Sequence, residues 1–482
     1  MPTFAAEKLA TWTGGSWSPL PGTAITGFNQ DTRTLSAGQV FVALKTDKRD
    51  GHDFLGEARK RGSAAALVSR AVAGEPLPQL VVDDPLNAFQ RIAREHRREF
   101  HGTVVGVTGS VGKTSTKDLL ALLLGGNPGV LATTGNLNKT DGANDAAVYA
   151  LSAILKTEGN LNNHIGVPLT LTRLEPAVHL AAVVEAGINS PGEMQSLVDM
   201  IEPDHAIVTL VAPAHLEKLQ SLDGVAAEKV TLLRGVRRDG LQMFPVSCWK
   251  HLAFRELANP LILVPENEGM TRVTGRTMKF NVFHRPDRTE VRLEGRRTFV
   301  VRRVSSGMAQ NTALAVALAS ELGVGDAVLQ SRLEHWQPSQ WRGELRLSGE
   351  ATVYCDFYNA NPASMADAID AFNGAVRAEL PRVYVLGCME ELGAESAEYH
   401  RQFGRTLHLR RGDHLFIIGG QAEALREGLL ENGNDPVQFE VITDLRPVRE
   451  RLAGFKGAVF LKGSRRYQLE TVLEPQTAGL AH

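Results

Sequence analysis

Cysteine is scarce. The 482 residues hold three, Cys248, Cys355 and Cys388, and none stand at metal-ligand spacing. So little cysteine makes a reducing cytoplasm the simplest home. Long apolar runs are missing as well: none approaches the roughly 20 residues that a membrane helix needs. The opening MPTFAAEKLATW lacks the basic and apolar regions of a secretory signal. Neither sign of charge dominates, with Lys+Arg at 52 against Asp+Glu at 54, so no basic surplus points to nucleic acid. What is left is the composition of a soluble globular protein, 43% hydrophobic and 22% charged. The chain is too long for one core, and roughly two to four domains are expected.

The chemistry is concentrated at residues 104–124, VVGVTGSVGKTSTKDLLALLL. An apolar strand (Val104, Val105, Val107) runs into a glycine-rich turn, and the turn opens a helix carrying Leu119, Leu120, Leu122 and Leu123. Glycines let such a loop fold tightly and aim its N–H groups at one point, at a helix N-terminus where the dipole also favours anions. Gly109, Ser110, Val111, Gly112, Lys113, Thr114 and Ser115 are therefore candidate triphosphate contacts. Lys113 would reach the β- and γ-phosphates and the Thr114 hydroxyl would ligate Mg²⁺. The eight-residue pattern wants Gly at position 107, where this chain has Val. A Gly-rich turn with a surface lysine is the bland alternative, and the order strand, loop, helix argues against it.

The fold class expected is α/β, in three domains. Residues 1–100 read as a small α/β unit with strands QVFVALK (39–45), AALVSR (65–70) and QLVVDD (79–84). Residues 101–330 read as a central P-loop domain with a mainly parallel sheet, from strands at 104–108, VLATT (130–134), 180–187 and 205–210 with helices between them. Within it, residues 272–304 alternate at period two and look antiparallel, and a helix over 309–322 closes the unit. Residues 331–482 read as a doubly wound, Rossmann-like domain. GNLN occurs twice, at 135–138 and 159–162, around the apolar-periodic NDAAVYALSAILK. This predicts a peripheral helical insertion over 139–162 with an apolar face of Val148, Leu151, Ile154 and Leu155. Chance similarity of two Asn-Gly turns is the alternative.

A triphosphate needs a divalent metal, and metal needs oxygen or imidazole ligands at strand ends. Glu185 ends one strand and His215 follows another. Either alone is weak, since most lone histidines and glutamates serve structure or solvent. Taken together with VTGSVGKTS (107–115), TEGNLNNHIGVPLTL (157–171), EAGINSPGE (185–193), AHLEKLQSLDGVAAEK (214–229), YNANPASM (358–365), VLGCMEELG (385–393), LKGSR (461–465), DTRTLSAGQVFVAL (31–44) and DGHDF (50–54), they resemble the Mur ligases over nearly the whole length. Those are ATP-dependent amide-forming enzymes of peptidoglycan precursor synthesis.

The resemblance implies roles. Lys113 and Thr114 would hold ATP and Mg²⁺; Glu185 and His215 would hold metal near the γ-phosphate; Lys229 would carry a carbamate that supplies anionic oxygens to the metal. Asn311, the junction residue Arg342, and Asp356, Tyr358, Asn359 and Asn361 would meet the nucleotide. Asp31, Thr32 and Arg33 would meet a uridine nucleotide; Asn160, Asn162 and Asn163 a muramoyl group; and Lys462, Ser464 and Arg465 an incoming dipeptide or the closing interface. Lys113, Lys229, His215 and Arg342 would be the catalytic set. The combination of YNANP, ELG and KGSR points, within the family, to D-alanyl-D-alanine and a UDP-N-acetylmuramoyl-tripeptide as substrates; a monomer is expected. Cys355 and Cys388 stand where acidic residues are usual, and SSGMAQN replaces a Gly-Arg-His-Asn approach. Those departures leave two alternatives open: a Mur-type ligase for another amino acid or dipeptide, and a weakened, nucleotide-binding regulatory relative.

Overall fold

The computed structural model describes residues 2–125, 153–268 and 273–473. The first sheet has five strands: β1 (Ser16–Ser18), β2 (Gly27–Asn29), β3 (Gln39–Val42), β4 (Ala65–Val68) and β5 (Gln79–Val81), in the order β1-β5-β4-β3-β2. All neighbours are parallel except β1 and β5. β3, β4 and β5 lie in the expected runs, whereas β1 and β2 are three residues long and carry too little pattern to be read. Helix Pro85–Arg98 follows, started by Pro85 at its first position and by Asp84, whose carboxylate accepts from the Asn87 N–H.

That helix locks the first unit to the next. Arg97 has no solvent exposure; its guanidinium donates to the carbonyls of Ile201, Glu202 and Phe100 and to Asp204 Oδ2 at 2.8–3.1 Å. The Ile201 and Glu202 carbonyls end helix Glu193–Ile201, so the cation sits at the negative end of its dipole. Leu169, Leu161 and Ile165 in turn pack into the core of the first unit.

The central sheet has nine strands: β6 (Thr103–Thr108), β7 (Ile154–Lys156), β8 (Ala181–Glu185), β9 (His205–Val208), β10 (Gln242–Pro245), β11 (Leu261–Pro265), β12 (Arg276–His284), β13 (Arg288–Leu293) and β14 (Arg297–Arg302), ordered β14-β13-β12-β11-β10-β9-β6-β8-β7. β7 to β12 pair in parallel and β12 to β14 antiparallel. Helices cover both faces, so β6 and β8 are apolar on both sides. The helix expected at 309–322 spans Ser306–Glu321, begun by Ser305 accepting from the Met308 N–H.

The insertion expected over 139–162 is corrected at its end. Ile154–Lys156 is not helical and not peripheral: it is the edge strand β7, in register with Ala181–Val183 of β8. Ile154 packs into one core and Leu155 into the core on the opposite face of the sheet. Consecutive residues facing opposite ways is strand geometry, and a helix would have put both on one side. The rest of that segment up to residue 152, and the strand expected at 130–134, lie outside the described residues.

The last sheet has six strands: β15 (Glu344–Ser348), β16 (Ala351–Asp356), β17 (Arg382–Gly387), β18 (His414–Ile418), β19 (Phe439–Ile442) and β20 (Ala458–Lys462), ordered β15-β16-β20-β17-β18-β19. Only β15 runs antiparallel. β16, β17, β18 and β20 were legible; β15 and β19 are half-exposed edges with weak apolar patterning.

Candidate active site

β6 lies between β8 and β9, so its Gly-rich loop emerges at the C-terminal edge of the sheet beside the ends of both neighbours. Gly109 and Gly112 have φ of 154° and 80°. A Cβ on Gly112 would stand 2.1 Å from Asn311 Nδ2, and one on Gly109 would stand 1.9 Å from Thr209 Oγ1. Only glycine fits both the backbone and the space. The segment after β9 braces the loop: Thr209 Oγ1 donates to the Val111 carbonyl at 2.5 Å, and Ser110 Oγ donates to the Ala212 carbonyl at 2.8 Å. Thr209 was not read from the sequence, because nothing local marks a brace that reaches back about a hundred residues.

Lys113 begins helix Lys113–Leu124 and folds back over the loop, donating to the Gly109 carbonyl at 2.9 Å. Burial lowers its pKa, with Arg342 adding to the effect and Glu185 opposing it. Thr114 Oγ1 donates to Glu185 Oε2 at 2.8 Å, and Asn162 Nδ2 donates to Oε1 at 2.7 Å. A hydroxyl and a buried carboxylate thus converge at the loop. Among the described residues no three His, Cys, Asp or Glu side chains form a metal cluster. A hard cation here would rely on this oxygen pair and on substrate phosphates, which is the donor set Mg²⁺ takes.

His215 stands at φ 55° after β9, and its Nδ1 meets Glu391 Oε2 of the last unit at 2.5 Å. That contact holds the Glu391 carboxyl below its usual range. Lys229, on helix Leu222–Arg234, is 1% exposed and makes no hydrogen bond or ion pair among the described residues. Burial, with the Lys113 charge adding to it, pushes its pKa well below the ordinary lysine value. Burial of this kind disfavours the charged ammonium.

The C-terminal unit closes the other wall. Arg342 lies 4.0 Å over the Tyr358 ring. Asp356 and Lys462 are paired across β16 and β20 and form an ion pair at 2.9 Å, and Lys462 also donates to the Asn359 carbonyl at 3.0 Å. The Asn361 side chain caps helix Pro362–Ala375 by accepting from the Ser364 N–H. Asp367 on that helix accepts from the Gly307 N–H at 2.8 Å, tying the two units together. Asp367 and Glu391 were missed as site residues; Glu391 was visible only inside the ELG stretch.

These walls enclose a cavity of about 420 Å³. It brings together Ser110–Ser115, Asn160, Asn162, Asn163, Glu185, His215, Asn311, Arg342, Asp356, Tyr358, Asn359, Asn361 and Lys462. Asp31, Thr32 and Arg33 are not on it; they sit beyond β2, where Asp31 grips the Arg33 guanidinium at 2.6 Å and is held down to about 2. Lys462 was expected with Ser464 and Arg465 near a dipeptide or the closing interface, and the structure sets Lys462 and Arg465 apart. Lys462 is the buried partner of Asp356 in this cavity, whereas Arg465 lies 4.6 Å over the Trp341 ring and pairs with Glu470. The reason is that Lys462 ends β20, and the chain turns away immediately after it.

The Mur ligase middle domain matches residues 107–317, and the Mur ligase glutamate ligase domain matches 341–465. The chain is 31% identical to the UDP-N-acetylmuramoyl-tripeptide–D-alanyl-D-alanine ligase of Escherichia coli, over 92% of each chain. It is 28% identical to the enzyme of that name from Bacillus subtilis, over 94% of this chain and 93% of that one. A crystal structure of MurF from Acinetobacter baumannii superimposes with a TM-score of 0.79 at 26% identity, over 98% of both.

Proposed function

Because the chain belongs to the Mur ligase family, we propose that it joins D-alanyl-D-alanine to a UDP-N-acetylmuramoyl-tripeptide, with ATP cleaved to ADP and phosphate. The observation that carries this reading is the cavity in which the P-loop lysine, the Thr114–Glu185 oxygen pair and the C-terminal Arg342 meet. The similarity to ligases of that name runs over nearly the whole chain, including the residues before the P-loop.

A carboxylate does not condense with an amine in water unaided. Transfer of the γ-phosphoryl group to the tripeptide carboxylate makes an acyl phosphate; the dipeptide amine then attacks the carbonyl carbon and phosphate leaves. In this reading the loop N–H groups and Lys113 hold the phosphates, and Arg342 neutralises charge from the opposite wall. Thr114 and Glu185 would hold Mg²⁺, and His215 would support it from the adjoining loop; the ion would neutralise charge on the transferring oxygens. Lys229 fits a carbamate, being a buried amine without a partner among the described residues. Asn160, Asn162 and Asn163 face the tripeptide end, and Arg33, presented by Asp31, meets the uridine diphosphate in the 1–100 domain. Residues 101–330 bind ATP, and 331–482 close over it and bring the dipeptide. We take the ligase to be a monomer, and its three buried free thiols suit the cytoplasm.

The test is phosphate release measured with each substrate omitted in turn. Release is expected only when ATP, UDP-muramoyl-tripeptide and D-alanyl-D-alanine are all present. Release with a different amino acid in place of the dipeptide, and none with D-alanyl-D-alanine, would overturn the substrate assignment.

A further inference from the structure

The linker between the central and C-terminal units is tied to the P-loop helix by one carboxylate. Asp118 lies one turn beyond Thr114 on helix Lys113–Leu124. Its Oδ2 accepts from Ser339 Oγ at 2.6 Å, and its Oδ1 accepts from Lys156 Nζ at 2.7 Å and lies 3.1 Å from Lys117 Nζ. Lys117 is buried and donates onward to the Thr157 carbonyl at 2.6 Å, and Thr157 Oγ1 accepts from the Glu185 N–H. Burial opposes ionisation of Asp118, but the two lysines and Ser339 outweigh it and hold the carboxyl below its usual range.

Ser339 opens a tight turn. The Arg342 N–H donates to the Ser339 carbonyl at 3.0 Å, and Trp341 within the turn is left-handed at φ 60°. A non-glycine residue at that φ stays there only when the surroundings hold it. Trp341 is held by Phe357, with ring centroids 5.4 Å apart, and by Arg465 above it. The turn delivers Arg342 to its place over Tyr358 in the cavity. Neither Asp118 nor Ser339 lines that cavity.

We propose that Asp118 and Ser339 are positioning residues for Arg342: the Asp118–Ser339 hydrogen bond fixes the start of the turn to the nucleotide-binding helix, so that Arg342 enters the cavity at a set distance from the P-loop. The inference rests on the reading of Arg342 as a nucleotide-side residue. A small displacement of a charge-neutralising group weakens the transition state more than ground-state binding.

The experiment uses the full chain and steady-state kinetics of Ser339→Ala, Ser339→Thr, Arg342→Ala and the Ser339→Ala/Arg342→Ala double variant. Ser339→Ala is expected to lower kcat about 10-fold or more, with KM for ATP within about twofold. Ser339→Thr, which keeps the hydroxyl, is expected to restore kcat. The double variant is expected to be no slower than Arg342→Ala alone, since the serine acts through the arginine. Wild-type turnover in Ser339→Ala, failure of the threonine to restore kcat, or multiplicative losses in the double variant would overturn the positioning role. Wild-type turnover in Arg342→Ala would instead overturn the reading of Arg342 itself, and the positioning role with it.

Discussion

At the residue scale, half-buried Lys113 and buried Lys229 stand close enough to influence each other, and they call for opposite treatment by mutation. Lys113 lies over the phosphate loop and leaves the packing of its helix to other residues. Lys113→Ala should therefore fold normally and lose turnover by at least about 100-fold, as removal of a transition-state donor does; circular dichroism with a phosphate-release assay checks both parts. Lys229 instead carries a cost. Its folded pKa is depressed, so between that value and the unfolded lysine value the unfolded chain binds more protons than the folded one. Stability contributed at this position consequently rises with pH across that window. In CO₂-free buffer, Lys229→Met should raise stability near neutrality, because an unpaired buried ammonium is costly. The gain should fade as pH approaches about 10. Melting curves at pH 7 and 9.5 would show it, and an equal gain at both would refute it.

The phosphate loop was legible residue by residue because its function is contiguous: glycines, lysine and threonine act within one turn. Glu391, Asp367 and Thr209 were not. His215 and Glu391 lie 176 positions apart, and no local pattern announces such a meeting. Lys462 was legible as important, but its pairing with Asp356 was not, because the stretch LKGSR does not reveal that the strand ends inside it.

At the element scale, the most consequential piece is helix Pro85–Arg98. Asp84 and Pro85 set its start. The role of its far end was not legible, because an arginine near a helix C-terminus normally reads as a solvated charge. Arg97 is instead enclosed, and every bond it makes outside its own helix and the Phe100 turn goes to the second unit. Arg97→Met should cost about 3–5 kcal/mol, because it removes one of the partners of Asp204 and leaves two helix-ending carbonyls without theirs. Urea denaturation would measure it; a loss below about 1 kcal/mol would mean that Arg237, which also pairs with Asp204, carries the contact. The edge strand Ile154–Lys156 teaches the converse. Its apolar residues fit a helical period when read together with residues 148 and 151, and only the neighbouring strand decides the matter, by offering backbone partners.

At the scale of the whole molecule, three sheets were foreseeable from the alternation of strand and helix patterns, and their docking was not. Among the described residues, bonds that join the last unit to the middle one include Asp367 to Gly307, Glu391 to His215 and to the Glu217 N–H, and Ser339 to Asp118. Gly307, Asp367 and His215 line the cavity. A non-hydrolysable ATP analogue with Mg²⁺ should therefore slow tryptic cleavage after Arg342 several-fold, followed by gel electrophoresis. An unchanged cleavage rate at saturating analogue would argue that Arg342 does not meet the nucleotide.

The exchange of hydrophobic residues between the first two units has a bearing on how this chain can be recombined with its relatives. Leu161, Ile165 and Leu169 fill the core of the first sheet, while Ala93 and Phe100 of the first unit fill the core of the second. A chimera with its seam near residue 101 would pair surfaces that never matured together and would leave holes on both sides of the graft. A seam at 337–343 would cut almost no apolar contact. Transplants of the C-terminal third should then yield soluble hybrids, and transplants of the N-terminal hundred residues should do so only when residues 161–169 travel with them.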